Sequence, residues 1–340
     1  MYRESILNPI LKKYAITEPV ISPINTGGSS RKYFRIKDSK KSYIYCEYND
    51  AAELERFVKI TKILKKKDIN VQNIIEFSDS EKFILLQDLG DYNVYEFLSN
   101  IENKPLKTEI IEMYKSIIDL MIKMQISCAD ELKIIFPERK FDESVYLWET
   151  DYFKKMVLEK YLCFAVDDEK YIGACKQISS QLSLISGFFI HRDFQSQNII
   201  IFDKIPYFID YQTAYSGSNF YDPVSLLYDP YSYNKISDIF EILYNYYKTE
   251  FIKKTTRQEQ GEQGKKFDVL FTLTGIQRLM QANAAYVKLG LLENKKFFAR
   301  FVDPTLSKLY TIIAISDCAP EYFKYIFTKL KEDGKIKCVE

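Results

Sequence analysis

The sequence holds one histidine and one tryptophan in 340 residues. A single histidine cannot supply the multi-histidine ligand sets of catalytic zinc sites. Its six cysteines, at 46, 128, 163, 175, 318 and 338, include no Cys-x-x-Cys pair. Neither a zinc module nor a disulfide framework is expected, and reduced thiols are the simpler reading. An excess of one charge is also missing. Lys plus Arg number 48 and Asp plus Glu 47, so no net field favours nucleic acid or an anionic membrane. Lys65-Lys66-Lys67 reads as a solvated helix end. No apolar run approaches the roughly 18 residues of a membrane span. Met1 to Lys13 has neither the apolar core nor the small-residue cleavage site of a signal peptide. These absences point to a cytoplasmic globular chain with no nucleic-acid or membrane partner and no protein partner evident.

What is present divides into two stretches of different character. A chain this long exceeds one ordinary hydrophobic core, so two lobes are expected. In the first, Tyr33–Lys37 and Tyr43–Glu47 read as a hairpin closed by Asp38-Ser39-Lys40-Lys41. A polar loop, Asn25 to Ser30, precedes it. Leu54, Phe57, Val58 and Leu64 recur at helical spacing within Glu53–Lys67, and Lys82–Leu86 reads as a buried strand leading into the connector Gln87-Asp88-Leu89-Gly90-Asp91. Beyond it the pattern is helical, over Thr108–Gln125, Glu143–Cys163, Glu169–Ile185, Ile236–Lys253 and Phe267–Leu289. One β-hairpin interrupts the helices, Asn198–Phe202 and Tyr207–Tyr211. Lys253–Lys266 is polar and contains glycine, so it reads as a surface loop.

Chemistry concentrates in His191-Arg192-Asp193-Phe194-Gln195-Ser196-Gln197-Asn198, which follows an apolar run and enters the hairpin. Asn198 opens the first hairpin strand and Asp210 closes the second, so both stand at the same end, and Asp193 lies five residues before Asn198. Three oxygen-bearing side chains of this kind suit phosphoryl transfer, where the protein supplies positioning and charge neutralisation. Asp193 would take or orient the proton of an acceptor hydroxyl. Asn198 and Asp210 would hold Mg²⁺, a hard cation that takes oxygen ligands. The pattern resembles the kinase loop His-Arg-Asp-x-x-x-x-Asn with its downstream metal aspartate. His191 is then a scaffold residue. Asp222 follows Asp210 by only twelve positions, without an Ala-Pro-Glu, which favours a small acceptor over a peptide.

These residues resemble the aminoglycoside phosphotransferase superfamily, and more closely its anomeric N-acetylmuramate and N-acetylglucosamine kinases of cell-wall recycling. The matching stretches are Gly28–Arg35, Leu85–Asp91, Trp148–Phe153, His191–Asn198, Ile209–Gln212 and Tyr221–Leu227. The resemblance implies an α+β, bilobal protein-kinase-like fold. A nucleotide-binding lobe would cover 1–88, and a catalytic and substrate-binding lobe carrying the hairpin 89–340. It implies ATP as co-substrate and an amino sugar as acceptor. Gly27, Gly28, Ser29 and Ser30 would cover the phosphates with backbone N–H groups, and the backbone of Gln87, Asp88 and Leu89 would meet the adenine. Asp222 would accept N–H groups from the catalytic loop. No lysine stands in Tyr43–Glu47 to serve as the kinase strand lysine. Arg35 is the candidate for that phosphate contact, its plain alternative being a solvated strand arginine. Glu53 or Glu55 could serve as the helix glutamate, although surface carboxylates are the plainer reading.

Glu149 and Gln212 are the sugar-site candidates. Glu149 is preferred to Asp151, which lies two residues on and cannot share its helix face. Trp148 reads as a core residue or a stacking surface. Two rival readings stay open. One is a kinase for an aminoglycoside, choline or an amino acid. The other is a nucleotide-binding protein without turnover, kept in play by the missing strand lysine.

Overall fold

The computed structural model describes residues 2–24, 31–100, 105–255 and 261–336, with backbone alone over 261–264. Contacts gather the chain into two compact units: Met1–Val94 with Asn198–Gln212, and Tyr95–Gln197 with Thr213–Glu340.

The first unit opens with α1 (Glu4–Lys13), β1 (Val20–Ile24), β2 (Lys32–Lys37), β3 (Ser42–Glu47), α2 (Ala51–Lys66), β4 (Ile74–Ser78) and β5 (Phe83–Gln87). The strands form one antiparallel sheet in the order β1-β2-β3-β5-β4. The β2–β3 hairpin read from the sequence is present, with Tyr33 opposite Cys46. Asp38 shapes its turn by accepting the N–H groups of Lys40 and Lys41, both at 2.7 Å. Alternate residues Phe34, Ile36, Tyr45, Phe83 and Leu85 pack with Leu7 and Ile10 of α1. Ile44, Cys46, Ile84 and Leu86 are buried on the opposite face. Asp50 caps α2 by accepting the N–H of Ala52 at 2.9 Å.

Sequence reasoning did not find α1, β1 or β4. The two strands are the sheet's edges, half exposed, and β1 contains Pro23. An edge strand buries little and tolerates proline, so its apolar alternation is weak. The helix α1 is short and contains Pro9.

The second unit takes up the chain within α3 (Val94–Ser99) and continues through α4 (Lys107–Ser127), α5 (Ala129–Ile135), α6 (Glu143–Phe153), α7 (Asp168–Ser183) and β6 (Phe188–Ile190). Tyr114, Ile117, Ile118 and Met121 form the buried face of α4. The single helix expected over Glu143–Cys163 is α6 followed by a π-helical stretch, Lys154–Tyr161.

The chain then returns to the first unit as a hairpin, β7 (Ile199–Phe202) and β8 (Ile205–Phe208). Asp203 and Lys204 both have positive φ, the geometry of a two-residue primed turn. The turn is tighter than expected, and the second strand starts at Ile205. Pro206 fits there because its missing N–H is tolerated at an edge. The hairpin belongs with the first unit through hydrogen bonds from Phe208 N–H to the Asn70 carbonyl (2.9 Å) and from Ile201 N–H to the Tyr92 carbonyl (2.8 Å). Sequence reasoning cut the chain once, after residue 88, and left the hairpin with the helices.

The remainder of the second unit is β9 (Tyr215–Gly217), α8 (Tyr221–Leu227), α9 (Tyr233–Ile236), α10 (Phe240–Thr255), α11 (Gly261–Tyr286), α12 (Lys296–Ala299), α13 (Val302–Ile315) and α14 (Glu321–Glu332). α11 packs against α6, α8 and α13, and β9 pairs with β6. A Cβ on Gly290 would lie 2.4 Å from the Ala299 backbone nitrogen, so only glycine lets α12 approach there. The surface loop expected over Lys253–Lys266 is helical through Thr255 and from Gly261 onward. Residues 256–260 lie outside the described residues. The five cysteines described are free thiols. Among the described residues no helix is long and apolar enough to cross a membrane.

Candidate active site

In the second unit, the chain leaves β6 at His191 and runs through a loop to Gln197. Asp222, at the start of α8, accepts the backbone N–H groups of His191 (2.8 Å) and Arg192 (3.1 Å). Asp229, just beyond α8, accepts those of Ser196 (2.7 Å) and Tyr231 (3.1 Å). Two buried carboxylates therefore fasten the loop at both ends. Burial pushes Asp222 up to about 7 and Asp229 up to about 6, against the N–H groups that favour the charged forms. His191 is fully buried, its ring edge-on to Phe194.

Arg192 adopts a left-handed φ of 77°, an uncommon conformation for a side-chain-bearing residue and one that marks functional loops. Its guanidinium lies over the rings of Phe141 and Tyr215 and reaches Glu149 at 3.4 Å. Glu149 also accepts the Tyr221 hydroxyl (2.8 Å) and the Gln277 amide (3.2 Å). Burial raises its pKa, opposed by Arg192, Gln277 and Tyr221. Arg278 of α11 donates to the Ser225 hydroxyl (2.8 Å) and stands 3.8 Å from Asp193. Glu149, Asp222 and Asp229 are 0% exposed, whereas the Asp193 side chain is 46% exposed. Of the carboxylates in this network, Asp193 alone opens to solvent.

In the first unit, Ile209 N–H donates to the Asn198 carbonyl at 3.0 Å, so the hairpin ends lie side by side. Asp210 follows with a left-handed φ of 64°. Its Oδ1 accepts from Arg31 Nη2 and Gln212 Nε2, both at 2.8 Å. Tyr211 pins the turn to α2, stacking on Phe57 at 5.0 Å with its hydroxyl 2.9 Å from that of Thr61. Among the described residues no group of three His, Cys, Asp or Glu side chains could hold a metal ion. Asn198 and Asp210 offer two hard oxygen side chains, the donor set Mg²⁺ uses when phosphates and water complete its shell. The residues present fit that ion.

Several candidate residues take other partners. Arg35 binds Asp88 through Nε (2.8 Å) and Nη2 (3.1 Å), and Asp91 through Nη1 (2.5 Å) and Nη2 (2.8 Å). It is not a solvated strand arginine: it clamps β2 to the connector. Asp88 further accepts the Ser42 hydroxyl (2.5 Å) and Gly90 N–H (2.9 Å). Gln87 N–H donates to the Asn73 carbonyl (2.9 Å), and its carbonyl accepts the Gln72 amide (2.9 Å). Leu89 is buried. Glu149 is sealed beneath Arg192, and Gln212 is buried and turned toward Asp210. Trp148, read as a core residue or a stacking surface, is not in the core: it is 57% exposed and stacks on Tyr152. Glu53 pairs with Arg31 (3.5 Å) and Glu55 with Lys59 (2.6 Å). Gly27, Gly28, Ser29 and Ser30 lie outside the described residues.

Sequence reasoning missed Arg31, Arg278 and Asp229 as site residues. Tyr228-Asp229-Pro230 repeats Tyr221-Asp222-Pro223 seven residues on, and that duplication was a readable signal. Arg278 had none.

No protein-family model matches the chain. A solved choline kinase from Cryptosporidium parvum superposes with a TM-score of 0.62 at 12% identity, covering 94% of this chain and 98% of that one. The streptomycin–ATP–APH(2")-IIa ternary complex superposes with a TM-score of 0.56 at 13% identity, covering 88% and 97%. The fold is protein-kinase-like. Among curated proteins, the N-acetylmuramate/N-acetylglucosamine kinase of Pseudomonas aeruginosa is 24% identical over 213 residues, 62% of this chain and 60% of the relative. The aligned part thus spans less than two thirds of that relative. The superfamily resemblance read from the sequence agrees with what these comparisons return, and the kinase-like fold accounts for a loop aspartate, a hairpin and a second aspartate in this order.

Proposed function

We propose that the chain is an ATP-dependent small-molecule kinase whose acceptor is a sugar hydroxyl, in its most specific form the anomeric C1 hydroxyl of N-acetylmuramate or N-acetylglucosamine. The observation that carries the reading is Asp193, the exposed carboxylate of a loop otherwise fastened by buried ones. Asp193 accepts the proton of the acceptor hydroxyl as its oxygen bonds to the γ-phosphorus of ATP. The bond between that phosphorus and the β–γ bridging oxygen breaks, and ADP leaves. Asn198 and Asp210 would hold Mg²⁺, which neutralises phosphate charge when bound. The connector backbone at Asp88 and Leu89 would meet the adenine, since both backbone groups of Gln87 are engaged within the first unit.

Within the second unit Asp193 stands 3.8 Å from Arg278. The sugar reading rests on the named activity of the Pseudomonas relative.

The test is ADP release with Mg–ATP across N-acetylmuramate, N-acetylglucosamine, plain hexoses, choline and an aminoglycoside. Turnover confined to the N-acetylated sugars, with phosphate on C1, is the expected result. Turnover on choline or the aminoglycoside alone would overturn the acceptor assignment.

A further inference from the structure

The kinase-like chemistry calls for a fixed cation at the nucleotide phosphates, and in protein kinases a strand lysine paired with a helix glutamate supplies it. No lysine stands on β3, and Arg35 is held by Asp88 and Asp91. Arg31, directly before β2, lies elsewhere. Its Nε stands 3.5 Å from Glu53 of α2, and its Nη2 donates to Asp210 at 2.8 Å. The side chain is 8% exposed, with the rings of Tyr33 and Tyr48 at 5.4 and 5.7 Å. Three separate segments of the first unit thus converge on one guanidinium, at the carboxylate assigned to the metal.

We propose that Arg31, anchored by Glu53, is the residue that replaces the strand lysine and presents positive charge to the β- and γ-phosphates of the nucleotide. The inference rests on the kinase reading above. A guanidinium suits the task because its planar fork carries five N–H donors, enough to keep two carboxylates and a phosphate together, where an ammonium offers three. The Glu53 contact fixes the approach of the group. The Asp210 contact places it where a metal-bound phosphate would come.

The test is titration calorimetry of Mg–ADP against the full chain, with wild type, Arg31→Met, Arg31→Lys and Glu53→Gln compared and each variant's thermal melt recorded. Arg31→Met should weaken Mg–ADP by about tenfold or more, a loss of about 1.4 kcal/mol. Arg31→Lys should recover part of that loss, and Glu53→Gln should fall between Arg31→Met and wild type. A folded Arg31→Met chain that binds Mg–ADP within about twofold of wild type overturns the proposal. If Arg31→Met does not fold, the other two variants carry the test, and wild-type affinity in both overturns it. A wild-type chain that binds no Mg–ADP overturns the kinase reading itself. Normal wild-type binding with no turnover on any acceptor leaves this inference standing while the acceptor assignment falls.

Discussion

Two aspartates with proposed chemistry sit in the two units, and they are held in opposite ways. The loop carrying Asp193 is tied through its backbone: Asp222 and Asp229, both fully buried, accept the N–H groups of His191, Arg192 and Ser196. Asp210 is tied through side chains, by Arg31 and Gln212, and its own side chain is 38% exposed. A backbone bond to a buried acceptor cannot be exchanged without remaking the loop. A charge contact at a partly exposed carboxylate can be shared with an incoming cation or phosphate. The difference is the one expected between a group that must hold still and a group that must change partners.

The sharpest way to break the comparison is to remove each function in turn. Asp193→Asn should lower kcat by about 10²- to 10⁴-fold, the range for losing a positioned general base. Mg–ADP affinity, measured by calorimetry, should stay within about twofold. An active Asp193→Asn enzyme would sink the assignment. Asp210→Ala should act on binding instead, weakening Mg–ADP by about tenfold or more, read in the same titration. Unchanged affinity would show that the carboxylate holds no metal.

The smallest effect concerns pH. A carboxyl ordinarily near 3.8 stands at about 7 in Asp222 and about 6 in Asp229. Between those values the folded chain binds more protons than the unfolded one, so stability falls as pH rises through the window. Each group contributes at most about 1.4 kcal/mol per pH unit. Urea unfolding midpoints at about pH 5 and about pH 7 should show this slope, and Asp222→Asn should flatten it. An equal slope in the variant would remove Asp222 from the account.

Much of this was legible in the sequence because it is local. The spacing from His191 to Asn198, the hairpin and Asp210 fall within twenty residues, and a hairpin places its ends together by geometry alone. The inner strands β2, β3 and β5 announced themselves through apolar residues on a buried sheet. What stayed hidden was long-range. Arg278 reaches Asp193 from a helix whose sequence is apolar on several sides, and Arg31 finds Asp210 across 179 positions. No spacing rule encodes such contacts. The surroundings of Glu149 were hidden for a related reason. A carboxylate beside aromatic residues on a helix suggests a ligand, and only the packing shows that Arg192, Tyr221 and Gln277 already surround it.

The hairpin Asn198–Gln212 is packed with a unit whose other residues end at Val94. During synthesis, which proceeds from the N-terminus, the five-stranded sheet can assemble early. The partners of Asn70, Tyr92 and Thr61 emerge only after the whole stretch from Tyr95 to Gln197 has been made. The nascent first unit must therefore wait, with Asp210, its proposed metal ligand, still unmade, for a late segment to finish it. Neither unit can be excised as one continuous fragment. A chain halted before residue 198 would carry the sheet and the loop aspartate, yet lack Asn198 and Asp210, the two side chains proposed to hold the metal.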